Sequence, residues 1–230
     1  MSRAAEPPST LILIAAIAAL VGWIAPFDVF YTALAGGSPM ARALVIAAVA
    51  VIGGLAARGA GLRLRGHGPG GPVAVGLLAA ALVAGWVVLL DCFVFRGRLD
   101  PEIVAFLRKP LGVRLSYFML RAYNENVLYR LFAFGCAAWA WQRWRGRRGT
   151  LPQLLGLAAL VQMVNIGANV VLRSGMPVTV AGLGYDALRY IVPGVVWAGL
   201  FVRNGFVAAE VASVGCHLFL QPAFSLLLDR

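Results

Sequence analysis

The sequence predicts an all-α membrane protein: a bundle of about seven transmembrane helices with one amphipathic segment at the membrane interface. Hydrophobic residues make up 61% of the 230 residues and charged residues only 13%, against about 25% charged residues in a soluble domain. A soluble domain of this length cannot bury so much apolar surface. The apolar residues also fall into runs of about 20, the length that an α-helix needs to cross a bilayer.

The apolar runs account for nearly the whole chain, so residues 1–230 are predicted to form a single integral-membrane domain. Pro26 is expected to kink or end the first run. We interpret that run as a retained span, because it lacks the small-residue cleavage site of a signal peptide. The predicted spans are 11–35, 40–57, 73–95, 113–141, 151–172, 183–202 and 206–228.

The segments between the spans are basic. Residues 58–72 are rich in Arg, Gly and Pro and predict an exposed loop, in which His67 is interpreted as a solvated residue. Residues 96–111 mix charged and apolar side chains, which is typical of a helix at the interface. Residues 143–148 contain four Arg beside Trp141 and Trp144, which are typical interface anchors.

A formal net charge of +11 suggests nucleic acid binding in a soluble protein. Here the Arg residues flank apolar runs, where they fix topology and contact anionic headgroups. We therefore expect membrane lipids as partners and no nucleic acid. The distribution of Arg favours a cytoplasmic N-terminus, and the near absence of Lys, with Lys109 alone, suggests a bacterial source.

Span four carries several polar residues that lipid disfavours, since a charge near the bilayer centre costs at least about 2.5–3.5 kcal/mol. On a helix, Arg121, Glu125 and Tyr129 form one stripe, and Asn126 and Arg130 form a neighbouring pair. Either Arg121 or Arg130 is suitably spaced to hold Glu125 ionised. The alternative to a functional site is a buried ion pair that fixes helix packing.

Spans five and seven each add a polar face. Hydrogen bonding between helices explains such a face when it stands alone. Three polar faces in lipid, however, must meet inside the bundle or line a water-filled cavity. The faces consist of Gln162, Asn165 and Asn169 in span five and of Glu210, His217 and Gln221 in span seven.

Two further features concern ion pairs and metals. Asp186 and Arg189, three residues apart at the start of span six, are predicted to pair with each other. His217, Glu125 and Glu210 offer three ligand groups, but they lack the spacing of a known metal motif such as H-E-x-x-H. We therefore expect neither a metal nor another cofactor.

Glu125-Asn-Val-Leu-Tyr-Arg130 resembles the first motif of the CPBP family, the CAAX-protease and bacteriocin-processing glutamic intramembrane proteases. That motif reads Glu-Glu-x-x-x-Arg. Glu125 aligns with the family's catalytic Glu and Arg130 with its Arg, whereas Asn126 replaces the second Glu. The resemblance covers about residues 113–230, half of the chain.

The C-terminal part carries the other two motifs of the resemblance. Residues 189–205 look like the family's penultimate helix and Arg-x-Gly turn. His217-Leu-Phe-Leu-Gln221 stands where the family has His-x-x-x-Asn, so that Gln221 is longer by one methylene. Val161-Gln-Met-Val-Asn165 is the best match to Phe-x-x-x-His, with Asn165 at the position of the His.

The resemblance implies an intramembrane endopeptidase that cleaves a membrane-associated peptide or protein. Glu125 would activate a water molecule as general base, Arg130 would orient the first motif, and His217 and Gln221 would form the oxyanion hole. Asn165 would position the water but cannot accept a proton near neutral pH. Secondary candidates for the site are Asn126, Arg121, Asn169 and Glu210.

Two other functions fit the same residues. The substitution at Asn165 allows a non-proteolytic homologue that acts as a binding or scaffold protein, or as an immunity or maturation factor. A small transporter or a lipid-modifying enzyme would use the same polar cavity. No phosphate-binding motif or carboxylate cluster for Mg²⁺ supports lipid chemistry.

Overall fold

The computed structural model describes residues 6–25, 36–66, 71–96, 101–172 and 179–228, with only the backbone described at 101–103 and 168–172. These ranges contain helices and no strand, so the predicted all-helical class is confirmed. The helices are α1 (Pro8–Ile24), α2 (Pro39–Gly59), α3 (Gly71–Val94), α4 (Pro101–Leu107), α5 (111–145), α6 (Leu151–Leu172), α7 (180–204) and α8 (Phe206–Leu228).

Each of the seven apolar runs coincides with a helix, apart from the residues of the first run that lie outside the described ranges, including Pro26. By length and composition, α2, α3 and α8 are able to cross a membrane, whereas α1 and the Leu151–Gly167 part of α6 are shorter apolar helices. The chain is therefore a helical protein suited to a membrane, and the crossing of all seven helices remains a prediction.

Large apolar side chains cover the outward faces of several helices. A soluble protein rarely exposes contiguous apolar surface on this scale, but hydrocarbon is a favourable solvent for it. This surface supports the membrane assignment independently of helix length. Its exposed residues include Ile12, Leu13, Leu20, Leu44, Leu55, Leu78, Leu82, Leu160 and Val164.

The segment predicted to lie at the interface contains α4. Its Phe106 ring packs on Tyr117 and Phe118 of α5, with ring centroids 4.8 and 5.4 Å apart. The ammonium group of Lys109 lies 4.7 Å from the centre of the Phe106 ring. These aromatic contacts fold α4 back against the beginning of α5, while His67, in the other predicted loop, lies outside the described residues.

Small residues allow the helices to approach closely where they cross. A Cβ atom added to Gly53 of α2 would lie 2.5 Å from the Cα atom of Phe132 in α5. One added to Gly76 of α3 would lie 2.8 Å from the carbonyl oxygen of Ala208 in α8. Such close backbone contacts are the usual way in which helices associate in lipid, where no hydrophobic force draws them together.

Three helices contain a π-helical segment, in which the turn is wider than in an α-helix. These segments are Leu89–Val94 in α3, Val127–Phe134 in α5 and Ala187–Ile191 in α7. Each contains a charged residue that packs inside the bundle: Asp91, Arg130 and Arg189, respectively. The wide turns therefore coincide with the positions at which the bundle accommodates charge.

Pro193 helps to explain the π segment of α7. Proline has no N–H group, so it cannot donate to a carbonyl in the preceding turn. The carbonyl of Leu188, five residues earlier, instead accepts a hydrogen bond of 3.0 Å from the indole Nε1 of Trp86 in α3. A side chain of α3 thus satisfies a backbone group of α7.

The α2–α3 loop forms hydrogen bonds with a residue just before α1 and with the first residue of α8. The carboxylate of Glu6 accepts hydrogen bonds from the backbone N–H groups of Leu64 and Arg65, at 2.9 and 2.8 Å. The N–H of Phe206, the first residue of α8, donates to the carbonyl of Arg63 at 3.0 Å. The loop therefore holds the beginnings of α1 and α8 at the same end of the bundle.

Replacing Gly76 by Ala is expected to lower the stability of the bundle. Overpacking costs about 1–3 kcal/mol, and a Cβ atom here would meet Ala208 and Val211 of α8 at 2.8–2.9 Å. The control is Gly85→Ala in the same helix, where a Cβ atom has no neighbour within 4 Å and is expected to stabilise by about 0.5–1 kcal/mol. Thermal unfolding in detergent measures both changes, and equal shifts would contradict the proposed crossing.

Candidate functional site

The first half of α5 packs against α8, with polar side chains between them. We call this contact the α5–α8 seam. Residue numbers rise along α5 as they fall along α8, so the two helices are antiparallel. The side-chain contacts, in order along α5, are Arg114 with Ser225, Phe118 with His217, and Asn126 with Glu210.

The carboxylate of Glu125 forms an ion pair with Arg121, one turn earlier on α5. The Nε atom of Arg121 donates to Oε1 of Glu125 at 2.6 Å. Of the two cations that the sequence offered, Arg121 and not Arg130 is therefore in direct contact with this carboxylate. The Glu125 side chain remains 28% exposed, so it is accessible from outside the bundle.

The imidazole of His217 stacks on the ring of Phe118, with centroids 5.3 Å apart and planes inclined by 14°. Its buried Nδ1 atom has no hydrogen-bond partner among the described residues. Phe118 and Arg121 are three residues apart on α5 and share one face of the helix. Arg121 therefore lies on the face of α5 that contacts His217, and its guanidinium bonds to the carboxylate of Glu125.

Glu125 and His217 are not in direct contact. Phe118 precedes Glu125 by seven residues, which is two helical turns, or about 10 Å along the axis of an α-helix. No hydrogen bond or ion pair joins the two side chains in the part of the chain that the structure describes. The structure thus brings the acid and the imidazole to one side of α5, with Arg121 between their levels.

Arg130 is buried and connects α5 to α6. It donates a hydrogen bond of 3.0 Å to Oε1 of Gln162. Gly194 of α7 makes room for this contact, because a Cβ atom there would lie 2.8 Å from Oε1 of Gln162. Arg130 is thus anchored to α6, four residues after Asn126, whose amide bonds to Glu210.

Asn126 and Glu210 form a buried pair across the seam. The amide of Asn126 donates to Oε2 of Glu210 at 2.5 Å, while Oε1 of Glu210 has no hydrogen-bond partner among the described residues. Asn126 stands where the motif it resembles has a second Glu. The carboxylate of Glu210 is next to that position, although it is 84 residues further along the chain.

Three predicted residues remain: Gln221, Asn165 and Asn169. Gln221 follows His217 by one turn and is 1% exposed, with its Oε1 atom unpartnered within the described ranges. Asn165 is half-buried on α6, three residues after Gln162. The side chain of Asn169 lies outside the described residues.

The sequence did not predict the most deeply buried ion pair. Asp91 of α3 has no exposed surface. It accepts a hydrogen bond from the hydroxyl of Tyr185 at 2.7 Å, and Arg189 of α7 approaches it to 2.9 Å. Arg189 also donates to the hydroxyl of Tyr190 at 2.8 Å. Asp186 was the expected partner of Arg189, but the ion pair is with Asp91.

The sequence contained one signal for this pair. A carboxylate in an apolar run is costly in free energy unless its charge is paired or hydrogen-bonded. The sequence therefore indicates that Asp91 needs a cation or several hydrogen-bond donors. Its partner is on a helix almost 100 residues away, and sequence spacing does not identify such a contact. Asp91 and Arg189 thus add charged side chains of α3 and α7 to those of the three predicted helices.

The described residues contain no group of three or more His, Cys, Asp or Glu side chains that could hold a metal ion. Compared with protein-family models, curated proteins and solved structures, the chain matches none. The functional interpretation therefore depends on the motifs in the sequence and on the side-chain contacts described above.

Replacing Arg189 by Gln is expected to destabilise the fold by about 3–5 kcal/mol, because Asp91 would remain buried without its cation. Thermal unfolding in detergent measures the loss. The double variant Asp91→Asn/Arg189→Gln should recover part of the stability, since it removes the charge and keeps hydrogen-bonding groups. The exposed Arg203→Gln is the control. A double variant that loses the sum of both single losses would contradict the pairing.

Proposed function

We propose that the chain is a glutamic-type intramembrane peptidase of the CPBP family that hydrolyses a peptide bond of a membrane-associated peptide or protein. The observation that carries the proposal is the position of Arg121, which bonds to Glu125 at 2.6 Å and follows Phe118, the ring on which His217 stacks, by three residues. An acid of α5 and an imidazole of α8 thereby lie on the same face of α5.

In the proposed reaction, the ionised carboxylate of Glu125 removes a proton from water, and the hydroxide attacks the carbonyl carbon of the scissile bond. The resulting oxyanion is stabilised by hydrogen bonds from His217 and Gln221. The C–N bond then breaks as Glu125 returns its proton to the leaving amine. Support comes from the exposure of Glu125 and from the unpartnered Nδ1 atom of His217 among the described residues.

Arg121 and Arg130 have separate parts in this proposal. Arg121 holds the carboxylate of Glu125 through the 2.6 Å hydrogen bond and fixes its orientation. Arg130, bonded to Gln162 and four residues after Asn126, balances the carboxylate of Glu210. Asn126 and Glu210 together take the place of the second Glu of the motif, and Asn165 positions the water.

The same proposal includes the location of the protein. A seven-crossing bundle in the cytoplasmic membrane of a bacterium fits the seven helices that coincide with the apolar runs. Three of these helices are long and apolar enough to span a bilayer. Successive crossings alternate in direction, and α4 does not cross. The N-terminus and the α2–α3, α5–α6 and α7–α8 connections therefore lie on one side. Their Arg residues make that side cytoplasmic by the positive-inside rule.

Replacing Glu125 by Gln is expected to reduce proteolysis at least about 100-fold, because general base catalysis contributes that much or more. His217→Ala should cause a loss of similar size, since it removes an oxyanion donor. Each chain is expressed in bacteria, and new protein N-termini in the membrane fraction are quantified by mass spectrometry. Glu6→Gln is the matched control. Identical sets of N-termini from native and Glu125→Gln chains would rule out the peptidase.

A second candidate is a non-proteolytic binding or scaffold protein of the same fold. Two observations favour it: the 2.6 Å ion pair occupies the carboxylate of Glu125, and Asn165 cannot relay a proton.

In that case, Asn165→His is expected to create cleavage or raise it by at least about tenfold, at the low end of an acid–base contribution. The same N-terminal mass spectrometry measures the gain, with Asn165→Gln as the control. Efficient cleavage by the native chain, unchanged in Asn165→His, would exclude this candidate.

A further inference from the structure

Three basic segments that are distant in sequence meet at one end of the bundle. A Cβ atom on Gly59 would lie 2.8 Å from the indole of Trp139, and one on Gly61 would lie 3.5 Å from the guanidinium of Arg148. Gly66 lies directly against the carbonyl of Asn204. We call this region the basic end; its Arg residues are Arg58, Arg63, Arg65, Arg143, Arg145, Arg147, Arg148 and Arg203.

A cavity of about 360 Å³ opens at the basic end, between the last residue of α2 and the end of α5. Its lining residues are Gly59, Trp139, Gln142, Arg143 and Gly146. Gly146 adopts a positive φ of 65° and ends α5 at the cavity. The volume is at the lower end of the range for small-ligand sites, about 300–1,000 Å³.

The position of the cavity at the end of an apolar helix fits the level of lipid headgroups. Gly59 is the last residue of α2, one of the three helices that are long and apolar enough to cross a membrane. Trp139 and the neighbouring Trp141 and Trp144 form an aromatic group of the kind found at membrane–water interfaces. A ligand in the cavity would therefore be a headgroup whose acyl chains lie along the apolar surface of α2.

Arg143 lines the cavity, and Arg145 lies two residues further along α5, outside the lining. The Arg143 guanidinium lies 5.6 Å from the ring centre of Trp139, and that of Arg145 lies 4.4 Å from the ring centre of Trp144. Neither Arg forms an ion pair with a described carboxylate. Glu6, the described acid at this end, is bonded to backbone N–H groups of the α2–α3 loop.

Gln142 adds a neutral polar group to the lining. Its Oε1 atom is buried and has no hydrogen-bond partner among the described residues. A buried carbonyl oxygen of this kind costs free energy unless a donor reaches it. A headgroup hydroxyl beside a phosphodiester would supply that donor, while the guanidinium of Arg143 binds the phosphate oxygens.

We propose that this cavity binds one anionic phospholipid, with Arg143 on the phosphodiester and Gln142 on a headgroup hydroxyl, as phosphatidylglycerol would provide. The site lies at the membrane surface and is independent of the proposed peptidase reaction. It gives the basic end a lipid preference beyond the diffuse attraction of Arg to an anionic bilayer.

The test uses the purified full-length chain, delipidated in detergent and titrated with phosphatidylglycerol against an excess of phosphatidylcholine. Native mass spectrometry measures the fraction with one bound lipid. Arg143→Gln should weaken phosphatidylglycerol binding at least about tenfold, the effect of losing a charge-assisted hydrogen bond. Arg203→Gln removes the same charge from the same end without altering the cavity lining, and it should change binding less than about twofold.

A second variant tests the cavity without changing any charge. Gly59→Val is expected to displace Trp139 and to weaken binding as Arg143→Gln does, and size-exclusion chromatography checks that each variant is folded. Phosphatidylmethanol, a phosphodiester of the same charge that lacks the headgroup hydroxyl, should bind more weakly than phosphatidylglycerol. Equal losses in Arg143→Gln and Arg203→Gln, or unchanged binding in folded Gly59→Val, would overturn the proposal in favour of diffuse charge attraction.

Discussion

Charge that is held away from water needs a partner of opposite sign or a set of hydrogen bonds, and this requirement selects the helices that meet in the bundle. Apolar packing in lipid provides little directional preference between helices. The polar contacts provide it instead: Asp91 with Arg189 joins α3 to α7, and Asn126 with Glu210 joins α5 to α8. The same polar contacts therefore determine both the packing of the helices and the composition of the candidate site.

The sequence predicts the helices well because a helix is a local structure. The predicted runs 151–172 and 206–228 coincide with α6 and α8, and the other helix ends differ by a few residues where both are described. The identity of the partners is a different matter. Asp91 required a cation, but its contact with Arg189 depends on the order of helices around the bundle, which the pattern of apolar residues does not contain.

The partner of Glu125 shows how a local detail limits the prediction of the site. Arg121 precedes it within a regular α-helical turn, so the spacing of four residues brings the two side chains together. Arg130 follows it by five residues, a spacing that places two side chains about 140° apart around an α-helix. Arg130 therefore faces another neighbour and contacts Gln162 of α6 instead.

The π segment of α5 also has a consequence for the helix as a whole. α5 runs from 111 to 145, about 50 Å at 1.5 Å per residue, which exceeds the roughly 30 Å thickness of a hydrocarbon core. Each residue advances an α-helix by about 100°, so a single-residue deletion between Val127 and Phe134 would rotate everything that follows. Trp139 and Arg143 would then face away from α2 while Arg121 and Glu125 kept their orientation. The π segment thus sets the rotation of the second half of α5 about the helix axis relative to the first half. Deleting one residue there would change this rotation and leave the helix intact.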